Sequence, residues 1–80
     1  MRSPARALIG APIDPSGRLV SPETGAACGD ADTLAAVNEA FNIACRFQDE
    51  ATAAFLLERY LGTREAAAFL EYQKGNYGTH

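Results

Sequence analysis

From residue 31 onward the apolar positions recur at the three- and four-residue spacing of helices. Leu34, Val37, Phe41, Ala44 and Gln48 form one row, and Ala36, Ala40, Ile43 and Phe47 form a second beside it. At 100° per residue the two rows cover about 200° of helix surface, leaving Asn38, Glu39, Asn42 and Arg46 on the wet side. The pattern predicts a helix over about residues 31–48, opened by Asp30 or Asp32, whose carboxylates suit an N-cap. So wide an apolar arc needs two neighbours. The next stripe, Ala53, Leu56, Leu57, Tyr60 and Leu61, predicts a helix over about 50–61. Asp49 can cap it, with Glu50 in the first turn where the dipole favours a negative charge. Ala66, Phe69, Leu70 and Gln73 mark a third helix over about 64–74, capped by Thr63 and ended by Gly75. If residues 50–74 formed one straight helix, these two stripes would face nearly opposite ways. A break at Gly62-Thr63 removes the conflict.

Before residue 30 the periodicity is lost. This segment holds all four prolines and four of the seven glycines. Asp14-Pro15-Ser16-Gly17 suits a type I turn, with Pro15 presetting φ at the second corner. Short apolar pieces flank it, Leu8 to Ile13 and Arg18-Leu19-Val20. They predict a small β-hairpin whose first strand Pro12 confines to an edge. A lone hairpin is marginal in water, so the segment either packs on the helices or stays a flexible arm. The expected fold is mainly α: a small three-helix domain over 30–80, with residues 1–29 as hairpin or arm. An ordered hairpin would make it α+β.

Composition limits what such a fold can do. The chain has 80 residues, 48% of them hydrophobic, but many are alanines, which favour helix and bury little area. A chain this short supports one domain and a thin core, too small to enclose a deep ligand cavity. The net charge of −3 is unevenly placed. Up to Gly29, three arginines face two carboxylates. Beyond it, four basic residues face eight acidic ones. An acidic helical body argues against a phosphate backbone as the main partner and suits a basic protein surface. The apolar run Ala7-Leu8-Ile9 stops at Gly10, and no stretch approaches the roughly 18 residues of a membrane span. The expected location is the cytoplasm, or the host cytoplasm for a phage-encoded chain. In a reducing compartment Cys28 and Cys45 are expected as free thiols, with Cys45 a small buried hydrophobe.

Candidate chemistry is sparse. His80 is the single histidine and sits in the tail, so no Cys/His or Ser/His pair forms without it. The cysteine and carboxylate spacings match no zinc pattern, and no Gly-rich phosphate loop is present. Asp30/Asp32 and Asp49/Glu50 stand at helix starts, where capping accounts for them. No catalytic residue, metal or cofactor is assigned. Tyr60, Tyr72 and Tyr77 cluster in the last third; tyrosine suits both core rims and interfaces.

Two stretches resemble known families. Tyr60-Leu61-Gly62-Thr63-Arg64-Glu65-Ala66-Ala67-Ala68-Phe69-Leu70 resembles the opening of the helix-turn-helix in excisionase-like DNA-binding proteins. That resemblance implies a recognition helix to follow, where this chain has Glu71-Tyr72-Gln73-Lys74-Gly75. Leu34 to Leu70 is similar to the last two helices of the Dps branch of ferritin-like proteins, whose iron ligands lie on earlier helices. The two readings exclude each other over the same residues, so neither is taken as the family. The functional expectation is a small acidic, non-enzymatic interaction protein, in size and charge analogous to phage inhibitors such as anti-CRISPR proteins. Its candidate partner-binding residues are Glu39, Asp49, Glu50, Glu58, Glu65 and Glu71, with Tyr60 and Tyr72 as anchors. A second expectation is a homo-oligomer built on Ile43 and Phe47. A third is a small DNA-binding regulator acting through Arg2, Arg6, Arg18 and Arg64.

Overall fold

The computed structural model describes residues 10–77, and their side chains as far as Gly75. Three helices follow one another: α1 (Ala31–Phe47), α2 (Glu50–Glu58) and α3 (Thr63–Tyr77). The mainly α expectation holds, with no strand among the described residues. The capping chemistry of α1 and α2 is the same local motif used twice. Asp30 accepts from the Thr33 amide and hydroxyl at 3.0 and 3.1 Å. Asp49 accepts from the Thr52 amide at 3.0 Å and from its hydroxyl at 2.7 Å. Each Asp-x-x-Thr box satisfies an N–H that has no partner within the helix. Asp30, not Asp32, is the cap of α1; Asp32 lies in its first turn. Gln48 closes α1 in the left-handed region at φ 53°, which turns the chain into α2 across two residues.

The other ends depart from the expected positions. α2 stops at Glu58, and Arg59 and Tyr60 donate to Leu56 and Leu57 oxygens in a tightened last turn. The break at Gly62 occurs as expected. The Ala66 amide bonds to the Gly62 oxygen, so α3 opens with Thr63 inside the helix instead of capping it. Gly75 does not end α3, which runs on to Tyr77. A glycine weakens a helix but stops it only when the chain leaves in the left-handed conformation, and Gly75 has no such φ.

The Pro/Gly-rich segment is docked, as far as it is described. The Asp14–Gly17 turn forms: the Gly17 amide donates to the Asp14 oxygen at 2.8 Å, and Gly17 takes φ +88°. The Asp14 carboxylate also accepts from the Ser16 amide and hydroxyl and the Arg18 amide. The pairing beyond it is a single antiparallel bridge, Ile13 to Leu19, and a second, Val20 to Ala27, follows a further turn at Ser21–Ala26. The hairpin is therefore reduced to isolated bridges, because Pro12 and two close turns leave no length for a ladder. Leu8 lies outside the described residues, as do Arg2, Arg6 and His80. The Ala11 amide donates to the Asn38 side chain at 3.0 Å, and Leu19, 2% exposed, enters the core.

That core joins Leu19 to Val37, Ala40, Phe41 and Ala44 of α1, Ala53 and Leu57 of α2, and Ala66, Phe69 and Leu70 of α3. The first helix does have its neighbours on both sides, and the Leu19 leg completes the cover. All four residues of the expected α3 stripe are buried, Gln73 included. Its amide donates to the Cys45 sulfur at 3.1 Å, which gives a buried polar group a partner. Ile43 is half-buried against the core, whereas Phe47 at the end of its row is 72% exposed.

Candidate functional site

Of the expected partner-binding acids, Glu39, Asp49, Glu50, Glu58 and Glu71 are exposed. Asp49 is committed to the α2 cap, and its two bonds to Thr52 hold its carboxyl below the usual 3.8. Glu50 and Glu71 come together from different helices around one ammonium: Lys74 Nζ lies 3.6 Å from the first and 3.7 Å from the second. Glu39 on α1 and Glu58 at the end of α2 form no ion pair among the described residues. Glu65 differs from these acids. It is half-buried, with one carboxylate oxygen out of water and without a hydrogen-bond partner. Its charge and the burial of Cys28 both push that thiol up, burial more strongly. Glu65 thus faces Cys28 of the N-terminal segment with part of its carboxylate and is less open to a partner than the other acids.

The tyrosines separate as well. Tyr60 is 48% exposed in the turn after α2. Tyr72 is half-buried and stacks on Phe41, ring centres 6.2 Å apart and planes at 26°. It is a core rim with one side turned to a groove. That groove, about 550 Å³, runs between the Ser21–Ala26 turn and α3. Pro22 and Glu23 line the turn side; Arg64, Ala67, Ala68, Glu71 and Tyr72 line the helix side. It is open to solvent and shaped by the small side chains at Ala67 and Ala68, so the thin core need not enclose it. Arg64 Nε sits 3.5 Å from Glu23 and ties the turn to the helix at one end.

Sequence reading found Glu71 and Tyr72 but missed Pro22, Glu23, Ala67 and Ala68. On the helix side the signal is the adjacent pair Ala67 and Ala68, whose small side chains leave room above the helix, while Ala66 of the same run is buried in the core. The turn that supplies the opposite wall carries none, since only the tertiary fold brings residue 22 to residue 72. Both cysteines are free thiols, half-buried, and burial raises Cys45 as it does Cys28. No three His, Cys, Asp or Glu side chains converge on a metal-sized site among the described residues. No helix there is long and apolar enough to cross a membrane. Of the arginines expected to meet DNA, Arg18 and Arg64 are exposed, and Arg64 is engaged with Glu23.

Compared with known proteins, the chain matches no family model, no curated protein and no solved structure.

Proposed function

We propose that the chain is a non-enzymatic interaction protein whose acidic helical surface docks on a basic surface of a partner protein. The observation that carries this reading is where the acidic surplus lies. Glu39, Glu50, Glu58 and Glu71 stand exposed on three different helices, and only two of the four have an ion-pair partner among the described residues. Such charges do little for the fold, since exposed pairs are worth about 0–1 kcal/mol, but they steer and orient a basic partner. The more specific form of the reading is a phage-type inhibitor of a nucleic-acid-handling protein, of the anti-CRISPR kind. Size and charge support that form, and no motif does.

The test is charge reversal at three sites that leave the core untouched: Glu39→Lys, Glu58→Lys and Glu71→Lys together. Glu65 is left out because its reversal would threaten the fold. Tagged wild-type protein is expected to retain a partner from host lysate that elutes with salt. The triple variant, with its helical circular dichroism unchanged, should bind that partner more than about tenfold more weakly. Equal retention of wild type and variant at every salt step sinks the electrostatic reading.

The exposure of Phe47 (72%) and Phe55 (66%) favours a second reading, self-association. Ile43 of the same expected surface is half-buried against the core and offers less area than the two phenylalanines. Phe47 and Phe55 are the residues to change.

A further inference from the structure

The groove between the Ser21–Ala26 turn and α3 has a definite chemistry. Its volume of about 550 Å³ falls in the range of roughly 300–1,000 Å³ common to ligand sites. Ala67, Ala68, Pro22 and the Tyr72 ring give it apolar sides. Carboxylates stand at both ends: Arg64 and Glu71 are seven residues apart, about 10 Å along the helix axis, and Glu23 sits beside Arg64. The Glu23 end is neutralised by its own guanidinium. The Glu71 end is not, because Lys74 is shared between Glu71 and Glu50. Across the connected set, three carboxylates face two cations, and of these groups Glu23, Glu71 and Arg64 line the groove itself, two acids against one base. That combination suits a long aliphatic stem that ends in a positive charge.

We propose that this groove binds an arginine side chain presented by an exposed segment of a partner protein, its methylenes along Ala67, Ala68 and Tyr72 and its guanidinium on Glu71. The proposal rests on the interaction reading above and gives it a place. Arginine fits better than lysine for two reasons. A carboxylate takes a guanidinium through two parallel bonds, where the present ammonium makes one long contact. A guanidinium is also the more weakly hydrated cation and enters an apolar trough at lower cost. The pairs it must displace are exposed, at 3.6 and 3.7 Å, and hold weakly.

The test uses the full chain, isotope-labelled, titrated with acetyl-Gly-Arg-Gly-amide and with the same peptide carrying citrulline, the neutral isostere of arginine. The arginine peptide is expected to shift amides at residues 22–23 and 64–72, and to bind about fivefold or more tightly than the citrulline peptide. Glu71→Gln should remove that difference. Lys74→Met should widen it, since it deletes the competing ammonium, an effect that a merely structural role for Glu71 does not produce. Ala67→Leu, at an exposed helical position where leucine folds well, should fill the trough and abolish the shifts. Equal affinity for the two peptides, shifts centred elsewhere, or binding unaffected by Ala67→Leu each overturn the proposal. The two readings fail separately: if the peptides miss the groove while the triple reversal still releases the lysate partner, the groove is wrong and the acidic surface stands.

Discussion

At Gly29 the backbone takes φ +73°, and a Cβ built there would lie 2.6 Å from both Cβ and Cγ2 of Thr33. Thr33 cannot retreat, because it is buried and its amide and hydroxyl are both bound to Asp30. Gly29→Ala should therefore destabilise the fold by about 2 kcal/mol, from the left-handed backbone and the forced shift together. Urea unfolding with an unchanged slope checks it, and a loss under about 0.5 kcal/mol would mean that the turn before α1 relaxes freely. The two capping aspartates make a different prediction. Asp30 and Asp49 both have their carboxyl pKa lowered by bonds to the threonine three residues on. A depressed native pKa means that the unfolded state binds the proton more readily. The stabilisation is present above the ordinary value of 3.8 and is lost as pH falls through the lower native value. Thermal midpoints should hold from neutral pH to about pH 4 and drop below it. Asp30→Asn with Asp49→Asn keeps an acceptor oxygen at each cap and removes the titration. Acid scans of that pair should fall less steeply, and an unaltered slope would place the acid-sensitive groups elsewhere.

At the scale of elements, the most consequential contact is the one between the first segment and the helices. Leu19 is the only described residue before α1 in the buried core, and it holds two turns in place on either side. Leu19→Ala should cost about 3 kcal/mol. It should also raise hydrogen exchange at Val20, Ser21 and Cys28, whose amides bond within this segment, ahead of exchange in α1. Uniform exchange across segment and helices would show that the two unfold as one unit. This contact marks the limit of what the sequence discloses. The three helices are legible from spacing alone, and so is the break at Gly62, because two stripes on one rod would oppose each other. The turn at Asp14–Gly17 is legible because its residues act locally. Whether the segment docks is not, because that depends on tertiary contacts: Leu19 entering the core, Ala11 and Cys28 packing beside it, and the links Ala11–Asn38 and Glu23–Arg64. The course of α3 past Gly75 is hidden for a related reason: glycine permits a stop without requiring one. The groove is half-legible, its helix side written as Glu71, Tyr72 and an alanine run, its other wall supplied by a turn fifty residues away in the chain.

For the whole molecule two opposing tendencies decide whether copies meet. The net charge of −3 keeps like-charged copies apart at neutral pH. Phe47 and Phe55, 72% and 66% exposed, favour burial of roughly 1–2 kcal/mol each against any apolar surface that covers them fully. Two aromatic side chains fall well short of the 1,200 Å² or so that a stable interface buries in total, so repulsion should prevail at pH 7 and low salt. Near the sequence pI of about 4.9 the repulsion vanishes while the aromatics are unchanged. Sedimentation velocity should accordingly find a monomer at pH 7 and a larger species close to the pI. Phe47→Ser with Phe55→Ser should restore the monomer there, with the fold intact because neither ring contributes to the core. If wild type is already a defined oligomer at pH 7 and the double variant is not, the aromatic contact outweighs the charge and self-association becomes the primary reading. If the variant still associates near the pI, the two phenylalanines are not the adhesive surface, and their exposure is left for a heterologous partner to cover.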